Sequence, residues 1–539
     1  MRKPFFFLCV LCLLCTLCAS EGRAEPLRLP RFFADGMVLQ REQKIPVWGW
    51  GQPGTTVQVT LCGKSAKAKV QADGTWRAVL PKLKATAVPQ QLKVVAASAS
   101  LLVQNVLIGD LFLCSGQSNM ELPIRRCMDK VAGKVRNYSN PNIRYLKLPH
   151  QYNYVRPNDD VIIRPWQDIT PENCGEVSGI CYFMARQLQE QTGVPIGIIN
   201  SAVGGTKVDA WMPQQSLRTF PAYAKEFDKL KYNQQNWPDS VMRAEMRAAG
   251  QWERQMMAAD TVVNQWRKPR YDFSSWAQTD IFSAWGRAGN GSYWFRHTLM
   301  LPSDCAGKAA TLRLGAMKDA DSVFVNGQFV GNTTYEYPPR IYTVPQGVLR
   351  TGENEIMVHL MSQGGRANFT SGKLYQLEVD DHIFPITQQW QMAQGSSMPA
   401  KPGSTYFVDC PTGLYNAMIA PLRDLPISGM LWYQGESNAG QADYADYLVR
   451  MVEEWRKQWH TEFPAVIVEL ASFQKGHNPP LEKSWASLRE QQLQASRRLS
   501  RAALVPLADT GEWNDIHPQD KDIAGQRAAE KMSQLVYGK

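Results

Sequence analysis

Beyond its first two dozen residues, no stretch of this 539-residue chain approaches the roughly 18 uninterrupted apolar residues that a membrane-spanning helix needs. The one apolar run near the start, Phe5 to Leu17, follows Arg2-Lys3 and precedes Ala19, Ser20 and Ala24. That run is too short to span a bilayer and has the three-part pattern of a secretory signal peptide, so residues 1–24 are read as a signal and the protein as periplasmic or secreted. Cysteine is scarce: there are eleven, and Cys9, Cys12, Cys15 and Cys18 fall in that first segment. The other seven (Cys62, Cys114, Cys127, Cys174, Cys181, Cys305, Cys410) are odd in number and widely spaced, which excludes a disulfide framework, and no CxxC metal pattern remains. Buried thiols are expected, with a Cys127–Cys174 bridge as the alternative. Runs of like charge are absent although the formal charge is +10, so nucleic acid is not an expected partner. No cluster of Zn or Ca ligands and no carboxylate pair spaced for glycosidic cleavage stands out, so neither metal nor cofactor is expected.

What is present points to several domains, roughly two to four for this length. Residues 25–105 read as a small β domain of immunoglobulin-like type. Val57-Gln58-Val59-Thr60-Leu61 alternates, and Asp73-Gly74 ahead of Trp76 to Leu80 is a hairpin signal. From 106 to 268 the pattern turns α/β: Val106 to Cys114 and Val194 to Asn200 are continuous apolar runs suited to a parallel sheet covered on both faces. A helix around 180–191 stands between them, and a polar helical segment over 216–266 follows. Residues 269–385 return to β, with Ala320 to Val325 alternating into an Asn326-Gly327 turn. Over 386–539 the α/β pattern resumes, with buried-strand candidates at Ile427 to Tyr433, Ala465 to Leu470 and Ala502 to Ala508 and a closing helix from Ile523 to Val536. The economical account is one α/β domain (106–268 with 386–539) interrupted by a jelly-roll-like insertion.

Gly116-Gln117-Ser118-Asn119-Met120 lies just beyond the first buried strand, where a serine hydroxyl would be exposed at a sheet edge near the free N–H groups of a following helix. A helix N-cap is the competing role for such a serine. Of only seven histidines, His517 alone follows a buried strand, has a carboxylate beside it and precedes a helix. Ser118 as nucleophile and His517 as base is therefore the expected pair. The group orienting the imidazole is open: the slot three residues before His517 is Asn514, Asp515 stands two before, Asp509 is an alternative, and a backbone carbonyl is a third. Asp515 is favoured. Oxyanion donors are expected from the Ser118 N–H, from Gly204-Gly205, where glycine lets backbone approach a ligand closely, and from the amides Gln434 or Asn438. Glu436 between those amides is a candidate supporting group.

Taken together, Gly116 to Met120, Gly204-Gly205-Thr206, Gln434-Gly435-Glu436-Ser437-Asn438 and Asp515-Ile516-His517-Pro518 resemble the SGNH hydrolases, and most closely the sialate O-acetylesterase family. Asp35 to Arg41, Pro46 to Gly49, Ala210 to Pro213 and Trp432-Tyr433 extend the resemblance along nearly the whole mature chain. It implies a flavodoxin-like α/β hydrolase that uses Ser118 and His517 to remove O-acetyl groups from sugars, notably 9-O-acetylated sialic acids. Acetylated xylan or another polysaccharide is the alternative substrate, and a non-catalytic envelope carbohydrate-binding protein the alternative class. The stretch with Val323 to Gly327 and Gly352-Glu353-Asn354 also resembles galactose-binding-like domains of glycosidases.

Overall fold

The apolar run ending at Gly116 belongs to one long strand, β1 (Ala99–Gly116), that serves two sheets in succession. Its first half pairs antiparallel with Thr86–Ala96 of an N-terminal β region. Its second half pairs in parallel with β3 (Ile196–Ala202) on one side and β4 (Gly429–Tyr433) on the other. The boundary read at 105/106 thus falls inside a single strand. The computed structural model describes residues 26–97, 99–229, 237–268, 271–283, 289–364 and 367–538. Residues 1–24, read from the sequence as a signal, lie outside the described residues, and among these no helix is long and apolar enough to cross a membrane.

With β2 (Asn140–Lys147), β5 (Ala465–Val468) and β6 (Ala502–Val505), the central sheet has the order β6-β5-β4-β1-β3-β2, all parallel, closed at one edge by the antiparallel strand Gln167–Ile169. Every residue of β3, β4 and β5 is buried, as expected for strands covered on both faces. The helices α1 (Ser118–Glu121), α2 (Gly179–Thr192), α3 (Pro479–Arg498) and α4 (Lys521–Tyr537) include two that bear on the site. This is a mixed α/β domain split by an inserted all-β region, with a further β region before it.

In the N-terminal region Thr75–Leu80 buries alternate residues, as its pattern predicts. Its partner, however, is Ile45–Trp50 and not the strand preceding the Asp73-Gly74 turn; Lys64–Lys69 pairs instead with Thr56–Leu61. The insertion holds a six-stranded and a four-stranded antiparallel sheet, which share a separate apolar core that includes Phe295, Leu312, Val358 and Leu377. The Asn326-Gly327 turn does join a hairpin, Ala320–Val325 with Gln328–Thr333. The β region runs on to Met398, past the residue 385 read from the sequence, because Gln389–Met398 pairs with both Ala277–Asp280 and Asn290–Leu301. All seven cysteines outside the N-terminal segment are free thiols, Cys127 and Cys174 included.

Candidate active site

Because β1, β3 and β4 are parallel, the segments leaving their C-terminal ends meet at one rim of the sheet, the usual place for ligands in open α/β folds. The turn after β1 is tied to both neighbours: Gln117 N–H donates to Tyr433 O at 3.0 Å and Val203 N–H to Gly116 O at 3.0 Å. Gly116 sits at φ +141°, and a Cβ there would lie 2.1 Å from Tyr433 O, so only glycine allows this approach. The half-buried Ser118 then opens α1. Gly204 presses against it, since a Cβ on Gly204 would come within 3.2 Å of Ser118 Cβ. From the other end of the chain, the segment after β6 brings His517 to the same rim. Asn119 Nδ2 donates to Ile516 O at 2.9 Å and to Glu436 Oε1 at 2.5 Å, and Lys521 Nζ donates to Asn119 Oδ1 at 2.9 Å and Pro518 O at 2.7 Å. The residues next to Ser118 and His517 in sequence are therefore bonded to each other.

Both side chains line one cavity of about 700 Å³, with Gly204, Gly205, Arg126 and Tyr337 among its walls. Burial, followed by the Arg126 and Lys521 charges, pushes the His517 imidazole down to about 3, so it is neutral near pH 7. Tyr337, from the inserted region, meets the imidazole edge-on at 5.3 Å, and Arg126 Nη2 donates to Tyr337 O at 3.2 Å. Burial also lowers Lys521 and raises the Glu436 carboxyl. Burial alone would raise Glu121, but His150, Lys147 and the Gly204 N–H together bring it below its ordinary value. These groups sit at 2.8, 3.2 and 3.1 Å from its oxygens.

Residues 108–246 and 388–534, more than half of the chain, match the model of the carbohydrate esterase, sialic acid-specific acetylesterase family. The chain belongs to that family. The interval between the two matched pieces carries a second match, residues 260–366, to the second all-β domain of beta-galactosidase. Curated relatives called sialate O-acetylesterase include those of Pongo abelii and Homo sapiens, each 31% identical over 208 residues, and of Rattus norvegicus, 29% identical over 216. These alignments cover 35–37% of this chain and 40% of the relatives' length. A solved structure described as a novel carbohydrate acetylesterase from Xanthomonas citri is similar over 95% of this chain and 76% of that one. Its TM-score of 0.57 and 24% identity show a common fold.

Within this family member the expected site residues fall into two groups. Ser118, His517, Gly204, Gly205 and Glu436 line the cavity, whereas Gln434 and Asn438 are not among its walls. The Gln434 amide is wholly buried, with Nε2 shared among Gln117 Oε1 (3.1 Å), Thr206 O (3.0 Å) and Asn438 Oδ1 (2.6 Å). Asn438 Nδ2 donates to Gln441 Oε1 at 2.6 Å. Both amides thus brace the turn, and neither lines the cavity onto which Ser118 opens. The Gly204 N–H is likewise engaged by Glu121, but among the described residues nothing accepts from the Gly205 N–H.

Asp515 does not reach the imidazole ring here. Its Oδ1 accepts the His517 backbone N–H at 2.8 Å and its Oδ2 accepts from Lys373 Nζ at 3.0 Å, while His517 Nδ1 is buried with no partner among the described residues. Asp509 is exposed and paired with Arg527. Asp515→Asn is therefore expected to lower kcat by about 10-fold, far less than the ~10⁴-fold lost when a carboxylate orients the base directly, and Asp509→Asn to change nothing. A loss near 10⁴-fold for Asp515→Asn would show that Asp515 turns onto Nδ1 in the working state. Sequence reasoning missed Gln117, Arg126, Tyr337 and Lys521. Of these only Lys521, four residues after His517 at a helix start, carried a local signal. The three-residue group Asp304, Cys305 and His382 could offer metal ligands on the inserted region, apart from the cavity walls.

Proposed function

We propose that this protein is a serine esterase that removes O-acetyl groups from sugars through an acetyl-Ser118 intermediate, with 9-O-acetylated sialic acids as the leading substrates. The observation that carries the reading is the shared cavity of Ser118 and His517, tied together through Asn119 and Ile516. Neutral His517 takes the Ser118 proton as Oγ attacks the acetyl carbonyl. The oxyanion is met by the Ser118 and Gly205 N–H groups and by Gln117, whose Oε1 accepts from Gln434, Gly435 and Ser437 and leaves Nε2 without an acceptor. His517 returns its proton to the leaving sugar oxygen, then activates the water that releases acetate. Arg125 and Lys147 are paired with Glu176 and Glu121 on the same walls, which leaves Arg126, whose Nε is buried without a partner among the described residues, as the cation that suits a sugar carboxylate better than neutral xylan. In this reading the α/β domain is flavodoxin-like, the N-terminal region immunoglobulin-like and the insertion galactose-binding-like. The N-terminal apolar segment supports export, so that the reaction occurs outside the cytoplasm.

Acetate release from 9-O-acetylated sialic acid is expected to exceed that from acetylated xylan; the reverse order would reassign the substrate. A pH profile tests the electrostatics. With His517 at about 3 in the free enzyme, the acid limb of kcat/KM is expected near that pH, because activity is lost only as the imidazole protonates. Bound carboxylate beside Arg126 offsets its charge and favours the imidazolium, so the acid limb of kcat should lie higher for a sialate ester but not for p-nitrophenyl acetate. Arg126→Gln should raise the limb of kcat/KM for both, and coincident profiles in all cases would count against an Arg126–carboxylate pairing.

A further inference from the structure

A second cavity, about 780 Å³, opens beside the first and shares the Tyr337 and Ile516 walls with it. Its remaining sides come from the inserted region, including Asn368 and Thr370, and from the loop that carries His517, including Trp513. Trp513 is 36% exposed, and it is the one exposed tryptophan among the described residues. One face of its indole is covered by the His477 ring, stacked at 3.8 Å and 21°. The loop is held on both sides: Gln474 N–H donates to Trp513 O at 2.9 Å, and Asn514 Nδ2 donates to Ser371 O at 2.7 Å. Gly372, at φ +74°, lets the inserted region come this close, since a Cβ there would lie 3.0 Å from Asn514 Nδ2 and 3.3 Å from Trp513 Cζ2.

An indole fixed from behind and left open toward a polar cavity matches what a pyranose needs. The C–H face of the sugar lies on the ring while its hydroxyls reach amides and hydroxyls across the gap. We propose that the second cavity binds the sugar unit adjoining the acetylated one, with Trp513 as the stacking platform and the inserted region as the opposite wall. The proposal rests on the reading of the first cavity as the acetyl-ester site. Each cavity has the size of a site for one compact ligand, so a free monosaccharide fills only the first. The preferred substrate is then an O-acetylated oligosaccharide or glycan chain of at least two units, lying across Tyr337.

The test compares wild type, Trp513→Ala, Trp513→Phe and Asn368→Trp on four probes: p-nitrophenyl acetate, free 9-O-acetylated sialic acid, 9-O-acetylated sialyllactose and acetylated xylotetraose. Trp513→Ala is expected to raise KM for the better of the two oligosaccharides about 10-fold, to leave p-nitrophenyl acetate and the monosaccharide unchanged, and to be largely rescued by Trp513→Phe. Asn368→Trp, which fills the cavity from the far side without touching the His517 loop, should raise the same KM and covers the case in which Trp513→Ala misfolds. An equal loss on all probes, or no change on the oligosaccharides, overturns the proposal. If wild type cleaves p-nitrophenyl acetate but no acetylated sugar, the sugar-esterase reading fails by itself. The second cavity is then read by calorimetric titration of sialyllactose and xylotetraose into Ser118→Ala: binding weakened by Trp513→Ala supports it, and binding indifferent to Trp513 or absent refutes it.

Discussion

Ser118→Ala is expected to lower kcat on any acetyl ester by about 10⁴-fold or more, and His517→Ala by a similar factor. The expectation follows from the roles proposed for these groups. In the proposed mechanism there is no covalent acetyl intermediate without Oγ, and without the imidazole Oγ stays protonated, so each change removes the same step. The double variant should therefore be little worse than either single one, because the two side chains work as a unit. Ser118 caps no helix through its side chain here, and its hydroxyl makes no hydrogen bond among the described residues, so the alanine variant should fold normally. Steady-state turnover of p-nitrophenyl acetate, with circular dichroism and thermal unfolding as controls, decides the matter. A folded Ser118→Ala protein with more than a tenth of the wild-type rate would end the proposed mechanism.

Asp321→Ala is expected to destabilise the inserted region by about 3–5 kcal/mol, since it strands a buried cation. Arg340 and Asp321 are both fully buried, with Arg340 Nε 2.6 Å from Asp321 Oδ1, and Tyr342 Oη donates to Asp321 Oδ2 at 2.5 Å. The same guanidinium donates to Pro338 O at 2.7 Å and to Glu336 and Asp319 O at 3.1 Å. Those bonds hold the loop that presents Tyr335 and Tyr337 to the cavity shared by Ser118 and His517. The variant should therefore lower the urea midpoint of the inserted region's transition and also raise KM for acetylated sugars, whereas Asp321→Asn, which keeps an acceptor, should do less. Unchanged unfolding in Asp321→Ala would mean that Arg340 is satisfied by backbone carbonyls alone.

Much of the scaffold was legible locally. Residues 106–114 (Asp110 apart), 429–433 and 465–468 are apolar without alternation, as a strand buried on both faces requires wherever it lies; 502–505 has the same pattern but forms the sheet's edge, where only Val505 is buried. The Asn326-Gly327 hairpin was legible for a similar reason, since its turn geometry is a property of the dipeptide. By contrast, the Asp73-Gly74 signal named a turn but not the strand it would serve, because pairing partners are chosen by the sheet. Strand β2, with charged and polar residues among its apolar ones, carried no clear period.

Residue chemistry alone nominated the groups proposed for acyl transfer: one serine in a glycine-flanked turn, one histidine beside a carboxylate, and several amides near glycine. Side-chain direction is not written in such motifs. Only the packed sheet turned Gln434 and Asn438 inward to brace one another, engaged the Gly204 N–H with Glu121, and put Lys373 rather than the imidazole against the Asp515 carboxylate. It also brought Tyr337 and Arg126 to the cavity shared by Ser118 and His517 and left Trp513 on the wall of the neighbouring one. Apart from the local Gln434–Asn438 bond, those pairings join residues distant along the chain, and a contact of that kind exists only once two folded surfaces have met.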